Sequence, residues 1–316
     1  MPCSSTLFVM LFSTLNPSLS VTGISGEMTR AMHLLYYWTR ENYLRDLDWG
    51  AGFHLNQRNE FLHEANIGDS VWAFTRNSKG SYVLAAELVV SAKTINAPRF
   101  RYGPFRVWGN LSKSSYFLTE PQSNIDLLIR SLSCTTNASL LGRSFQGARA
   151  IKPINQSDHE RLRVYSKTLP LEPRAKVFPE YQLEAAILLN DKDLVKSMLT
   201  KDKFGMASKR RKYFYSEGPA RSQKLVHTLK EMYDGCCQLS GWNPRQIYGR
   251  DLCEAHHMHW LSRGGEDEIE NMILVSPNSH RAIHRCDAQF NYRNGVIIFP
   301  NQEQRLMLNK HINLAD

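Results

Sequence analysis

The residues best suited to chemistry in this chain are four histidines and one asparagine near its C-terminus. His256 and His257 are adjacent, Asn271 follows, and His280 and His284 stand four residues apart. Neutral imidazole is a good ligand for borderline divalent cations such as Zn, Ni and Co. Three protein ligands leave one coordination position open, which a catalytic metal requires. The spacing therefore predicts a catalytic metal site, with structural zinc ligands or buried core histidines as the alternatives.

Two strands and a helix should position these side chains. Residues 252–257 are short and partly apolar, and residues 272–275 form a second apolar run, so both are expected to be strands. A polar segment with a Gly264-Gly265 turn lies between them. Ser276 followed by Pro277 is typical of an N-cap and the first residue of a helix. Histidines four residues apart on that helix would project from one face.

The two adjacent histidines cannot easily share one role, because successive strand residues point to opposite faces. One can bind a metal while the other takes a proton from water. In order and spacing, the residues resemble the HNH nuclease family with its ββα-metal fold. That family carries a His-His or Asp-His pair on the first strand, an Asn before the second, and His-x-x-x-His on the helix.

The resemblance to HNH nucleases implies a role for each residue. It implies His257 as the general base and His256, His280 and His284 as ligands of one divalent ion, which would be Mg, Mn, Co, Ni or Zn. Asn271 would hold the loop and orient His257. Imidazole ligands favour Ni, Co, Zn or Mn over Mg, which prefers oxygen.

The charge of the chain predicts a polyanionic partner. Its 316 residues suffice for about two domains, and its formal net charge is +9. A basic run at residues 209–212, followed by three aromatics, would suit phosphate contacts, although a solvated linker is the alternative. Three further arginines lie close to the histidines. The predicted phosphate contacts are Lys209, Arg210, Arg211, Lys212, Arg250, Arg263 and Arg281.

Cysteine spacing and the N-terminal residues indicate where the protein works. The six cysteines contain no Cys-x-x-Cys pair, so we expect hydrophobic packing rather than a structural zinc, and a reduced, cytoplasmic protein. Residues 1–31 are predicted to be disordered or to precede the true start, because no basic residue comes before Arg30. A signal peptide is the alternative. No other segment is apolar enough to span a membrane, so we expect no membrane association.

The N-terminal part has the pattern of a small mixed β-barrel. Alternating or apolar runs at residues 33–38, 70–74 and 82–90 predict strands. Residues 37–39, 67–74 and 84–90, with a closing strand at 151–154, resemble the EVE domain of the PUA-like superfamily. The resemblance spans residues 32–165.

The resemblance to EVE domains implies a pocket for a modified base. Fused to HNH nucleases, such domains form modification-dependent (type IV) restriction enzymes acting on methylated or hydroxymethylated cytosine. A flipped base needs aromatic faces to replace the lost stacking. The candidates for stacking or for edge hydrogen bonds are Trp38, Thr39, Asn42, Trp49, Asn56, Trp72 and Phe74. Packing in the barrel core is the alternative for each aromatic residue.

These patterns together predict an α+β protein with three parts after its N-terminal segment. They are a PUA-like barrel at 32–165, a linker at 166–218 with short helices at 179–189 and 191–199, and a nuclease domain at 219–316 that begins with a helix at 219–233. The expected function is cleavage of double-stranded DNA carrying modified cytosine, and a homodimer would supply the two cuts that a double-strand break needs. The rival functions are a nuclease indifferent to modification, and a modified-base binding protein with an inactive nuclease.

Overall fold

The computed structural model describes residues 31–49, 51–134, 138–147, 150–175, 177, 179–188, 191–201 and 218–316. The predicted basic run at 209–212 lies outside these residues, as does all but the last residue of the predicted N-terminal segment 1–31. No helix among the residues described is long and apolar enough to cross a membrane.

A mixed sheet of seven strands organises the N-terminal part. Its strands are β1 (His33–Tyr37), β2 (His54–Gln57), β3 (Ser70–Arg76), β4 (Tyr82–Ile95), β5 (Phe105–Gly109), β6 (Ser115–Tyr116) and β7 (Ile151–Ile154). Their order is β2-β5-β4-β3-β1-β7, with β6 paired to β4, and only β1 and β3 run parallel among these described pairs. The α+β class is confirmed. The expected barrel is not closed within the described part of the chain, where the sheet ends at β2 and β7.

The sheet divides the core because successive side chains of a strand point to opposite faces. Leu34 pairs with Val71, and both belong to one buried apolar cluster. Their neighbours Leu35 and Trp72 also pair, and both belong to a second cluster. The 14 residues of β4 contribute to both clusters, so this strand holds the two layers together.

Helices surround the sheet and continue into the C-terminal part. They are α1 (Arg40–Trp49), α2 (Asp126–Arg130), α3 (Gln156–Ser166), α4 (Glu180–Leu188), α5 (Lys192–Lys201), α6 (Gly218–Met232), α7 (Pro244–Tyr248) and α8 (Pro277–Cys286). Short 3-10 turns occur at Glu60–Glu64, Leu141–Ser144, Leu261–Arg263 and Ile269–Asn271. The helices predicted at 179–189, 191–199 and 219–233 are confirmed as α4, α5 and α6.

A hairpin followed by a helix forms the centre of the C-terminal part. Strands β8 (Glu254–His257) and β9 (Met272–Val275) pair antiparallel. Helix α8 follows directly, and its N-terminus is capped by Ser276, whose Oγ accepts a hydrogen bond from the Ser279 backbone N–H at 3.2 Å. A three-stranded sheet of β10 (Gln289–Asn291), β11 (Val296–Ile298) and β12 (Glu303–Arg305) completes this part. The predicted order of strand, strand and helix is confirmed.

The two sheets contact each other directly. The Tyr292 backbone N–H donates to the Ile95 carbonyl at 3.0 Å, and the Ile95 N–H donates to Asn291 Oδ1 at 3.0 Å. The described residues from 31 onwards accordingly pack as one compact unit. The end of β4 therefore meets the segment that follows the histidine helix α8.

Candidate metal centre and adjoining cavity

Three histidines and one glutamate converge between β8, α8 and α4. His256 comes from β8, His280 and His284 come from successive turns of α8, and Glu184 comes from α4. One potential ligand atom from each of the four residues lies within 4.8 Å of the other three. The three histidines predicted as ligands are thus brought together, and the cluster can hold a metal ion.

The distances within this cluster are short. His280 Nε2 and His284 Nε2 are 3.0 Å apart. Glu184 Oε2 lies 2.8 Å from His280 Nε2, 2.9 Å from His284 Nε2 and 3.3 Å from His256 Nδ1. The relative exposure of His256 is 1% and that of the Glu184 side chain is 0%. Three imidazoles and a carboxylate, held together away from solvent, match the donors that zinc and similar divalent ions prefer.

The charges of the cluster depend on one another. Burial alone would raise the pKa of Glu184, but His256, His257 and His280 lower it well below its usual value. Burial lowers the pKa of His256 to about 4, although Glu184 opposes this. Burial also opposes charge on His280, yet hydrogen bonds to Glu184 and Glu254 raise its pKa. The carboxylate of Glu184 is therefore ionised and is compensated by neighbouring imidazoles.

His257 follows His256 in β8 and is held between two carboxylates. Its Nδ1 lies 2.7 Å from Glu184 Oε1, and its Nε2 lies 2.9 Å from Asp267 Oδ1. Its backbone N–H also donates to Glu184 Oε1 at 2.7 Å. Burial lowers the pKa of His257, but hydrogen bonds to Asp267 and Glu184 outweigh it and raise the pKa to about 10. Two ionised carboxylates can only accept, so both ring nitrogens donate in this arrangement.

Asn271 ties the loop between β8 and β9. Its Oδ1 accepts the His259 backbone N–H at 2.8 Å, and its Nδ2 donates to the carbonyls of His259 and Glu266 at 2.9 and 2.8 Å. These contacts fix the loop that carries Asp267. Asn271 is thereby part of the loop whose Asp267 contacts His257.

Three buried acids of this region were not predicted from the sequence. They are Glu180 and Glu184 of α4 and Asp267 of the loop between β8 and β9. Glu180 accepts the backbone N–H groups of Leu261 and Ser262 at 2.6 and 2.8 Å, so it anchors α4 to the segment after β8. Burial, followed by the charge of Glu184, raises the pKa of Glu180. The available signal was the spacing of four between the two glutamates, which places both on one helix face with buried Leu183. For Asp267, the signal was a carboxylate between the Gly-Gly turn and Asn271.

The predicted phosphate contact at Arg263 is wrong. Arg263 is 0% exposed, and its guanidinium donates to Asp287 Oδ1 at 2.8 Å and to the carbonyls of Gly52 and Phe53 at 2.9 Å each. It also lies over the ring of Trp108, 4.6 Å from the centroid. A phosphate cannot reach this group, which instead joins the loop after β8 to the N-terminal sheet.

The other predicted phosphate contacts differ in position. Arg250 and Arg281 are exposed and remain predictions. Lys209, Arg210, Arg211 and Lys212 lie outside the described residues.

Two aromatics predicted for the base pocket lie in the core instead. Trp72 and Phe74 are each 0% exposed. The Trp72 indole donates to His159 Nδ1 at 3.0 Å, and Phe74 packs edge-on against Phe145 at a centroid distance of 5.0 Å. No ring face of either residue is available to a base, so these two assignments are wrong. The side chain of Trp49 lies outside the described part of the structure.

The remaining pocket candidates, Trp38, Thr39, Asn42 and Asn56, line one cavity of about 1480 Å³. Its wall also carries further aromatic and basic side chains. These include Arg58, Arg99, Phe100, Arg101 and Tyr102. The cavity combines ring faces with positive charge, and Asn56 Oδ1 is fixed by hydrogen bonds from Arg106 Nε at 2.6 Å and Asn96 Nδ2 at 3.0 Å.

The cavity reaches the loop of the histidine hairpin. Gly264, Gly265 and Asp267 line it together with Trp38. Asp267 therefore belongs to the wall of the cavity and to the surroundings of His257 at the same time.

No protein-family model matches the chain, and no curated protein is similar enough to count as a match.

Proposed function

We propose that this protein is a metal-dependent DNA endonuclease of the HNH type that acts on DNA carrying methylated or hydroxymethylated cytosine. The observation that carries the proposal is the convergence of His256, His280 and His284 on one point, with His257 beside them on the same strand as His256. This set would provide a metal site and, once His257 is released from Glu184, a separate proton acceptor within one small region. Metal-assisted hydrolysis of a phosphodiester uses both.

The proposed reaction assigns a task to each residue. A divalent ion bound by the three histidines would stabilise the charge on the scissile phosphate and on the leaving 3′ oxygen. His257 would take a proton from water at Nδ1. Asp267 would accept the Nε2–H of His257 at 2.9 Å, which orients the ring. Nδ1, which contacts Glu184 Oε1 at 2.7 Å in this structure, would serve the water once that contact is released. Asn271 would keep this loop in place.

The proposed recognition step uses the cavity of the N-terminal sheet. A base leaves the duplex at a cost of a few kcal/mol and needs stacking partners in its place. Trp38 is the candidate ring, and Asn42 and Asn56 are the candidate amides for the edge of the base. Arg58 and Arg101 are exposed at the same cavity and would bind the phosphates beside the flipped nucleotide.

Two rival functions have support of their own. The exposed arginines Arg58, Arg99 and Arg101 favour a nuclease that grips any DNA, because phosphate contacts do not read sequence or modification. The enclosure of His257 between two carboxylates favours a modified-base binding protein without cleavage.

A double-strand break requires two nicks, which a homodimer would supply. A cytoplasmic location is part of the proposal.

A digest of three matched duplexes tests the proposal. The duplexes share one sequence and carry cytosine, 5-methylcytosine or 5-hydroxymethylcytosine, with Mn²⁺ or Ni²⁺ as the added ion. The proposal predicts cleavage of one or both modified duplexes and little cleavage of the plain duplex. Equal cleavage of all three would favour the general nuclease. Selective binding without cleavage would favour the binding protein.

A further inference from the structure

Glu184 has no task in the proposed hydrolysis, although it makes the most contacts in the histidine cluster. It comes from α4, outside the hairpin and helix that carry the histidines. Its Oε2 contacts His256, His280 and His284, while its Oε1 contacts His257. One carboxylate therefore touches all four histidines of the site.

The distances show which position Oε2 takes. In tetrahedral sites, metal–nitrogen and metal–oxygen distances of about 2.0–2.2 Å separate neighbouring ligand atoms by roughly 3.3–3.6 Å. Glu184 Oε2 lies 2.8 to 3.3 Å from the three imidazole nitrogens, and His280 Nε2 lies 3.0 Å from His284 Nε2. These separations are hydrogen-bond distances and are well above those between a ligand and its metal. Oε2 therefore lies beside the three nitrogens, where the fourth ligand atom of an ion between them would stand.

Burial shows that this carboxylate needs a cationic partner. The Glu184 side chain is 0% exposed, and an isolated buried carboxylate is strongly unfavourable unless it is paired or bound to a metal. Glu180, one turn earlier, fixes the helix by accepting the Leu261 and Ser262 backbone N–H groups. Leu183, which lies between the two acids in the sequence, is buried, and so is Ala186, which follows Glu184. Helix α4 is thus held so that Glu184 enters the site.

We propose that Glu184 is the fourth protein ligand of the histidine metal site and that its carboxylate closes the site, so that α4 keeps the nuclease at rest until the helix is displaced. This proposal rests on the proposed function. Four protein ligands are typical of closed structural sites, whereas catalytic sites keep a position open. Oε1 also occupies Nδ1 of His257, the position where the attacking water would lie. One side chain therefore blocks both parts of the proposed chemistry.

The chemistry of DNA suits the displacement of this carboxylate. A phosphate oxygen competes with a carboxylate oxygen for the same hard ligand position on a divalent ion. The histidines belong to β8 and α8, so they can stay in place when α4 moves away. Bound substrate would then replace Glu184 at the site.

Cobalt substitution tests the ligand without requiring activity. Metal-free protein is titrated with Co²⁺, and the visible spectrum is compared for wild type, Glu184→Gln and the control Glu231→Gln, which makes the same change on an exposed glutamate of α6. Wild type and the control are expected to show the intense bands of four-coordinate Co²⁺. Glu184→Gln should still bind one ion through the histidines, but its bands should shift in position and intensity, because a water or a neutral amide oxygen replaces the carboxylate. An unchanged spectrum in Glu184→Gln would overturn the proposal.

Cleavage of the modified duplex tests the closure. Removing the block should raise the cleavage rate of Glu184→Gln about five- to 150-fold, the usual range of coupling between sites. If the spectrum changes and wild type cleaves the duplex, but Glu184→Gln cleaves it no faster than wild type, the closed state is overturned. If no variant cleaves DNA while the spectra differ as expected, the ligand stands and the proposed nuclease function fails. Glu184→Asp, whose shorter side chain withdraws the carboxylate, gives the same spectral test if the glutamine variant does not fold.

Discussion

Asp267 Oδ1 lies 2.9 Å from His257 Nε2, and both side chains are only 1% exposed. A carboxylate that accepts one ring N–H of a histidine fixes the tautomer and the orientation of the ring. Asp267 also lines the cavity that holds Trp38 and Asn42. Asp267 therefore links the proposed base to the wall of this cavity.

Asp267→Asn should lower kcat and leave KM nearly unchanged. The amide can donate to Nε2 and so favour the tautomer that carries hydrogen on Nδ1, where water should be deprotonated. General-base catalysis is worth about 10²–10⁴-fold, so a loss of about a hundredfold or more is expected. Steady-state kinetics on the modified duplex measures both parameters. A rise in KM at constant kcat would mean that Asp267 serves binding only, and Glu270→Gln is the matched control on an exposed acid of the same loop.

Metal binding should depend on the two histidines of α8. Wild type is expected to bind one divalent ion per chain, and the His280→Ala, His284→Ala double variant should bind none. Affinity should fall as the pH is lowered into the mildly acidic range, because protons compete for the imidazole nitrogens and the pKa of His280 is raised by Glu184 and Glu254. Equilibrium dialysis followed by metal analysis measures both effects. His227→Ala, on an exposed histidine of α6, serves as the control and should bind as wild type does. Full metal content in the double variant would contradict the site.

Trp38→Ala should weaken binding of the modified duplex by about ten- to a hundredfold, because stacking is worth roughly 1–3 kcal/mol per base. Binding of the plain duplex should change little, since it depends on phosphates and salt. Fluorescence anisotropy with both duplexes measures the ratio. Tyr248→Ala removes an exposed aromatic of α7 and should leave the ratio unchanged. An equal loss for both duplexes would show that Trp38 does not read the modification.

The histidine motif was predictable from the sequence because its parts are local. Ser276 and Pro277 mark the start of α8, and the spacing of His280 and His284 follows from the helical period. Glu184 was not predictable in this way, because it contacts histidines that lie 72 to 100 positions away in the chain. Such a contact depends on how α4 packs.

Sequence alone also did not show which aromatic residues line the cavity and which lie in the core. Trp38 and Trp72 both follow strand-like patterns, yet only Trp38 lines the cavity. Trp72 lies within β3 and is covered on its face of the sheet, whereas Trp38 directly follows the end of β1. Hydrophobicity alone does not separate the two positions. Arg263 was misassigned for the related reason that its partners Gly52 and Phe53 are distant in sequence.

The N-terminal sheet should lose stability in mild acid through His159. Burial, reinforced by the stacked ring of His33 at 3.7 Å, lowers the pKa of His159 to about 4, from about 6.5 when the chain is unfolded. The unfolded state therefore binds the extra proton between these values. The stabilisation is complete above about pH 6.5 and is lost as pH falls towards 4.

Urea unfolding at several pH values between 4 and 7 measures this loss. His159→Gln keeps an acceptor for the Trp72 indole and removes the titrating group. Between about pH 4 and 6.5, the unfolding free energy should change less steeply with pH in this variant than in wild type. The difference in slope corresponds to the uptake of up to about one proton on unfolding. Identical slopes in the variant and in wild type would show that His159 does not titrate differently in the folded state.

Cleavage of modified DNA by His257→Ala tests the central claim most directly. The imidazole is the proposed base and is not one of the four residues of the metal cluster. The variant should therefore lose cleavage by about 10²-fold or more while it still binds one metal ion and the modified duplex. His227→Ala should cleave at the wild-type rate. Wild-type turnover by His257→Ala would contradict the assignment of this histidine cluster as a nuclease site.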